Sequence, residues 1–163
     1  MSRWKPPRPI SSPYITAEGY KSLETELGQL WDRRKHVTLA LSAAAAEGDR
    51  SENAEYIYRK KELREIDRRI HYLQKRLPAL TVVSDKPGNQ NQVYFGAWIT
   101  LEDMQGEEIT YRIVGADEID TSGGLISLDS PMARALLKKN LDDEVFIQIG
   151  DQVQHFYIVS IRY

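Results

Sequence analysis

The stretch Gly48-Asp49-Arg50-Ser51-Glu52-Asn53-Ala54-Glu55-Tyr56 decides the fold. It is a short polar break between two long helical patterns. Before it, Tyr20, Leu23, Leu27, Leu30, Val37, Leu41 and Ala44 recur at 3-4-3 spacing, with Arg34 as the one gap. After it, Tyr56, Leu63, Ile66, Ile70, Leu73 and Leu77 follow the same spacing, with Arg59 as the gap. Such a repeat is the a/d seam of a coiled coil. The pattern predicts an antiparallel helical hairpin with Asp49 and Glu52 at its tip. Each arm is about thirty residues, so the rod is roughly 45 Å long at 1.5 Å per residue.

The tip has two readings. Gly48 suits a left-handed residue ending the first helix. Asp49 or Ser51 then caps the second helix, and Asp49 with Glu52 has the spacing of a capping box. The same two carboxylates are also hard oxygen ligands suited to Mg²⁺, which takes one or two protein carboxylates and keeps waters. No nearby histidine or third ligand completes a site. The tip therefore suggests ligands donated to a metal that another protein mainly holds. The run Ser42-Ala43-Ala44-Ala45-Ala46 before it is strongly helical and small-sided, which gives either a thin helix end or a rod made slim to enter something narrow.

A second stripe runs along the second helix. Lys61, Arg64, Arg68, His71 and Lys75 recur at helical spacing away from the seam, flanked by Arg59, Lys60 and Arg69. Positive charge repeated along a rod tracks a phosphate backbone. A solubilising face paired with Glu62, Glu65 and Asp67 is the plainer reading.

Outward from the hairpin the chain changes character. Residues 1 to 13 form a basic tail with four prolines before Tyr14, expected to be extended or disordered. Thr16 is a good N-cap for the first helix, and Gly19 is a blemish within it. The hairpin is expected over 14–80 and a linker over 84–92, with Pro87 and Gly88. From Val93 the period becomes that of strands: Val93 to Leu101, Glu108 to Val114, Leu125 to Asp129, and a hairpin of Glu144 to Ile149 with Gln154 to Arg162. Ser130-Pro131 opens a short helix to about Lys139. The class is α+β: a coiled-coil hairpin, then a small antiparallel sheet with one helix over 93–163. Trp98, Phe95, Phe146 and Tyr157 read as its core.

The 163 residues carry a net charge of −2. Residues 78–163 alone carry 6 basic and 13 acidic side chains, whereas 17–77 carry 13 and 11. The two parts are thus suited to different partners. No cysteine is present, which excludes disulfides and thiolate chemistry and fits a cytoplasmic setting. No apolar run approaches membrane-spanning length, and the first residues lack the apolar core of a signal peptide.

The tip stretch, Arg64-Glu65-Ile66-Asp67-Arg68-Arg69, Tyr94-Phe95-Gly96-Ala97-Trp98 and Asp129-Ser130-Pro131-Met132-Ala133-Arg134-Ala135-Leu136-Leu137 resemble the Gre family of bacterial transcript cleavage factors. The resemblance covers Tyr14 to Tyr163. It implies that the hairpin enters the secondary channel of RNA polymerase. There Asp49 and Glu52, supported by Ser51, would help hold Mg²⁺ jointly with the polymerase and stimulate cleavage of backtracked nascent RNA. The factor is then not an enzyme on its own and is a monomer when free. The family's basic patch, larger in one of its branches, corresponds to Arg59, Lys60, Lys61, Arg64 and Arg68 as RNA-binding residues. The C-terminal domain is implied to be FKBP-like and to dock on polymerase through Asp129, Ser130 and Pro131. Alternatives are a non-catalytic plug of the same channel, a prolyl isomerase suggested only by that implied fold, and a free-standing nucleic-acid binder, which the acidic C-terminal part disfavours.

Overall fold

A computed structural model describes residues 8–163. Of the basic tail expected over 1–13, residues 1–7 lie outside the described residues. The chain divides into two compact units, Tyr20–Leu80 and a second made of the segment up to Gly19 together with Thr81–Tyr163.

The first unit is the expected helical pair. Helix α1 spans Ala17–Ala45, its first residues belonging to the second unit, and α2 spans Ala54–Arg76. At 1.5 Å per residue they are about 44 and 35 Å long. Leu77–Ala79 closes α2 as a 3-10 turn, with Pro78 unable to continue the helix. The helices run antiparallel: Glu26 pairs with Arg69, Arg33 with Glu62, and Ala44 with Asn53, so partners recede along α2 as α1 advances. Val37, Ile66 and Ile70 are buried in the seam, with Leu27, Leu30 and Leu63 packed against them. Arginines fill the two gaps in the apolar repeat. Arg34 bonds Asp67 across the helices at 2.7 Å, and Arg59 bonds Glu55 and Glu62 on its own helix at 2.7 and 3.0 Å. Long alkyl stems let such residues cover the seam while their heads stay wet.

The second unit is built on a five-stranded sheet in the order β5-β4-β3-β7-β6. The strands are β3 Trp98–Asp103, β4 Glu108–Val114, β5 Leu125–Ser127, β6 Glu144–Ile149 and β7 Gln152–Arg162. The α+β class stands, but the sheet is mixed: β5 runs parallel to β4. Helix α3 is shorter than expected, Pro131–Leu136, and packs on β5 and β6. Alternation sends Ile99, Leu101, Val145, Ile147, Phe156 and Ile158 into one core with Ala133 and Leu136. The same alternation corrects three core expectations. Tyr157 lies between the inward Phe156 and Ile158 and so faces away from the core, its hydroxyl donating to Glu144 at 3.1 Å. Trp98 precedes Ile99 and stands on the opposite face, half-buried. Phe146 lies between two inward residues, so it points outward and is 61% exposed. There it stacks on His155 with ring centroids 4.5 Å apart.

The N-terminal segment also departs from expectation. Strands β1 Tyr14–Ile15 and β2 Thr81–Val82 pair in parallel, so residues 14–19 belong with the sheet unit rather than with the hairpin. Nor is the tail loose up to residue 13, because Ser12 donates its N–H to Asp129 at 2.8 Å and its hydroxyl to the same carboxylate. The Glu118 carboxylate accepts from the Thr16 N–H at 3.1 Å, the Thr16 hydroxyl and the Gly115 N–H at 2.7 Å. Thr16 in turn caps α1, its hydroxyl accepting from the Gly19 N–H at 3.0 Å.

That network explains Gly19. A Cβ there would lie 1.9 Å from Glu118 Oε1. Gly19→Ala should therefore destabilise the protein, although alanine is the better helix former by about 1 kcal/mol. In a Glu118→Ala background the same change should become stabilising. Urea unfolding of the four proteins in a double-mutant cycle reads the reversal of sign; no reversal would remove the steric account.

Candidate functional site

The loop between α1 and α2 is built by side chains that satisfy helix ends. Helix α1 stops at Ala45, and Ala46 and Glu47 continue only as a turn before Gly48. Gly48 follows with φ +129°, a conformation that side chains resist. The cap of α2 is neither Asp49 nor Ser51 but Asn53. Its Oδ1 accepts from the Tyr56 N–H at 3.1 Å, and its Nδ2 donates to the Ala44 carbonyl at 2.8 Å. One amide thus satisfies a free donor of α2 and a free acceptor of α1, which an ionised carboxylate, having no donor, could not do in both directions. The polar break before a helical run was a visible signal for this residue, but spacing favoured the acidic pair.

Released from capping, both acids stand in solvent. Asp49 Oδ1 accepts from the Ser51 N–H at 2.9 Å and the Ser51 hydroxyl at 2.8 Å. Those bonds, the backbone one first, hold the Asp49 carboxyl below the ordinary aspartate value. Glu52 is exposed and bonds no described residue. The Arg50 guanidinium sits 5.6 Å from the Tyr56 ring centre and the Lys60 ammonium 5.8 Å, so the loop's one cation rests on the first turn of α2. Among the described residues no cluster of three or more histidines or acids is arranged to hold a metal. Two exposed carboxylates, one oriented by Ser51, do fit Mg²⁺ as a partial ligand set completed by water or another molecule.

The basic residues separate into two kinds. Arg59 is engaged by Glu55 and Glu62 and also lies over Tyr58 at 5.5 Å, so its donors serve the hairpin. Lys60, Lys61, Arg64 and Arg68 are exposed and form no ion pair with a described residue. Arg64 and Arg68 border an open groove with Asp67 and His71, and Arg68 borders a second with Glu65, Arg69 and Tyr72.

In the sheet unit, Asp129, Ser130 and Pro131 are contiguous but differently used. Asp129 receives Ser12, the Ser130 hydroxyl caps α3 by accepting from the Ala133 N–H at 3.1 Å, and Pro131 is exposed at the first helical position. No helix among the described residues is long and apolar enough to cross a membrane.

A two-domain arrangement of this kind has known counterparts. Residues 13–82 match the family model for the N-terminal domain of transcription elongation factors, and 88–163 match that for the GreA/GreB C-terminal domain. The chain belongs to the GreA/GreB family of transcription elongation factors. Within it, the likeness is to GreB proteins. Transcription elongation factor GreB of Pseudomonas aeruginosa is 55% identical over all of this chain and 98% of its own length. That of Xanthomonas axonopodis is 56% identical with the same coverage, and that of Yersinia pestis 52% over 93% of this chain and 90% of its own.

Two outcomes are expected at the tip. Asn53→Ala removes both of its bonds and should cost about 0.5–2 kcal/mol in urea unfolding; no loss would mean that the loop closes without the clamp. Ser51→Ala should move the Asp49 carboxyl part-way up toward its ordinary value, since the backbone bond remains. The sign follows from the lowered value: the bonds' contribution is present above the ordinary carboxylate range and is lost as pH falls through the Asp49 value. A carboxyl-detected NMR titration reads this, and an unmoved Asp49 would contradict the hydrogen-bond cause.

Proposed function

We propose that this protein acts on bacterial RNA polymerase in the cytoplasm as a transcript cleavage factor. Its helical tip enters the polymerase's secondary channel and stimulates endonucleolytic cleavage of backtracked nascent RNA. The observation that carries this reading is the pair of solvent-facing carboxylates, Asp49 and Glu52, on a loop whose helix caps are supplied by another residue. Neither acid is needed to terminate a helix, so both are available to a ligand. Ser51 fixes one oxygen of Asp49 and leaves the other without a described partner. The low Asp49 value keeps that carboxylate ionised at neutral pH and well below it.

Asp49 and Glu52 would hold Mg²⁺ jointly with the polymerase, and the ion would there supply an activated water and charge stabilisation for in-line attack on a phosphodiester. The chain's own residues present and orient the acids. Asn53 closes the loop, and Arg50 is drawn onto Tyr56, so the loop's cation is held by the ring rather than left to pair with an acid. Lys60, Lys61, Arg64 and Arg68 provide an exposed row of cations for the extruded RNA. Arg59, counted with them from the sequence, has a mainly structural part, because its guanidinium is already engaged by two carboxylates. Asp129, Ser130 and Pro131 belong to the polymerase-docking surface, with Pro131 the exposed member. The factor has no catalytic activity alone, carries no stably bound cofactor and is monomeric when free.

Asp49→Asn should abolish stimulated cleavage of a stalled, backtracked elongation complex while leaving polymerase binding nearly intact. Loss of both would assign Asp49 to folding or docking instead. Bound but inactive wild-type protein would favour a channel-blocking regulator. Charge reversal at Arg64 and Arg68 should reduce cleavage of long backtracks more than short ones; equal loss on both would argue against RNA holding.

A further inference from the structure

Residues 78–163 are strongly acidic, yet their cations gather at one place. Of the six basic side chains in 78–163, three, Lys86, Arg112 and Arg162, line a single cavity of about 400 Å³ that opens to solvent. Trp98, Glu18 and Asp85 line it too. Trp98 on β3 is paired in register with Arg112 on β4 and with Arg162 on β7. Directly paired residues share a sheet face, so the three form a row, Arg-Trp-Arg. The guanidinium carbons lie 5.5 and 5.1 Å from the indole. Arg112 Nε donates to the Gly96 carbonyl at 3.2 Å, and neither arginine forms an ion pair with a described residue. The ring offsets part of the repulsion between them and leaves most of their N–H donors unused.

We propose that this cavity is a nucleotide-binding site, with Arg112, Arg162 and Lys86 holding phosphate and Glu18 and Asp85 accepting from N–H groups of the base. Guanidinium forks match phosphate oxygens in pairs, and a lysine adds a point charge. Two carboxylates beside phosphate would be repulsive without donors of their own. A purine bearing ring and amino N–H groups, as guanine does, supplies those donors. The cavity falls within the roughly 300–1,000 Å³ usual for small-ligand sites. The proposal stands independently of the cleavage reading, since none of these residues belongs to the tip.

The test is calorimetric titration of the full chain, at low salt, with GTP, with inorganic pyrophosphate and with a single-stranded RNA oligonucleotide. GTP should bind at one site, more tightly than pyrophosphate. Arg162→Gln and Lys86→Gln should each weaken GTP by roughly tenfold, as the loss of one charge-assisted contact does. Glu18→Gln should weaken GTP and leave pyrophosphate unchanged. Thermal unfolding without ligand checks that the variants fold; Arg162 is exposed, and its variant keeps the test decisive if Arg112→Gln does not fold. Failure of GTP to bind at millimolar concentration, or binding undiminished by Arg162→Gln and Lys86→Gln, would overturn the site. Oligonucleotide binding lost in those variants, with no GTP binding, would overturn it in favour of a nucleic-acid contact. Equal affinity for pyrophosphate and GTP would overturn the roles given to Glu18 and Asp85.

Discussion

Two helices packed antiparallel must be joined by a loop, and the helix ends that meet there carry backbone groups without helical partners. In this protein one side chain, that of Asn53, serves both ends: it accepts from α2 and donates to α1. The consequence reaches beyond the loop. With the caps supplied by an amide, the two carboxylates nearby are left facing solvent, and Ser51 can be spent on orienting one of them. A tip capped by its acids would engage both carboxylates instead of leaving them to solvent.

The hairpin below the tip is held by modest forces. Its seam is apolar at Val37, Ile66, Ile70 and Leu73, but arginines interrupt it, and its edges are laced by ion pairs at Arg33–Glu62, Arg34–Asp67 and Arg69–Glu26. Exposed pairs of this sort contribute about 0–1 kcal/mol each. Their greater value is in register, since a slip of one turn would break all three and bring like charges together. The same pairing sorts the basic residues, consuming Arg59 for the hairpin and leaving Lys60, Lys61, Arg64 and Arg68 unpaired.

The hairpin and its seam were legible in the sequence because heptad spacing reports directly on burial in a coiled coil. The strands were legible for the same reason at period two. What the spacing missed depends on contacts distant in sequence. The acid pair had capping-box spacing, and the second bond of Asn53, to the Ala44 carbonyl nine residues away on the other helix, is outside any local pattern. Phe146, Tyr157 and Trp98 were assigned to the core by composition, whereas their parity along the strand faces them away from it. The parallel pairing of β1 with β2 and the Ser12–Asp129 bonds join segments far apart in the chain, which no local pattern encodes. The Arg112–Trp98–Arg162 row likewise exists only once three strands are in register.

On the proposed function, Asp49 and Glu52 contribute ligands to a metal at another protein's active site. The most direct test is the Mg²⁺ concentration needed for half-maximal RNA cleavage by a backtracked polymerase complex, measured alone, with this protein, and with its Glu52→Gln variant. The protein should lower the Mg²⁺ requirement, and Glu52→Gln, while still bound, should return it toward the value of polymerase alone. An unchanged Mg²⁺ requirement in all three, with cleavage still stimulated, would mean that the tip acts by another route and would contradict the account.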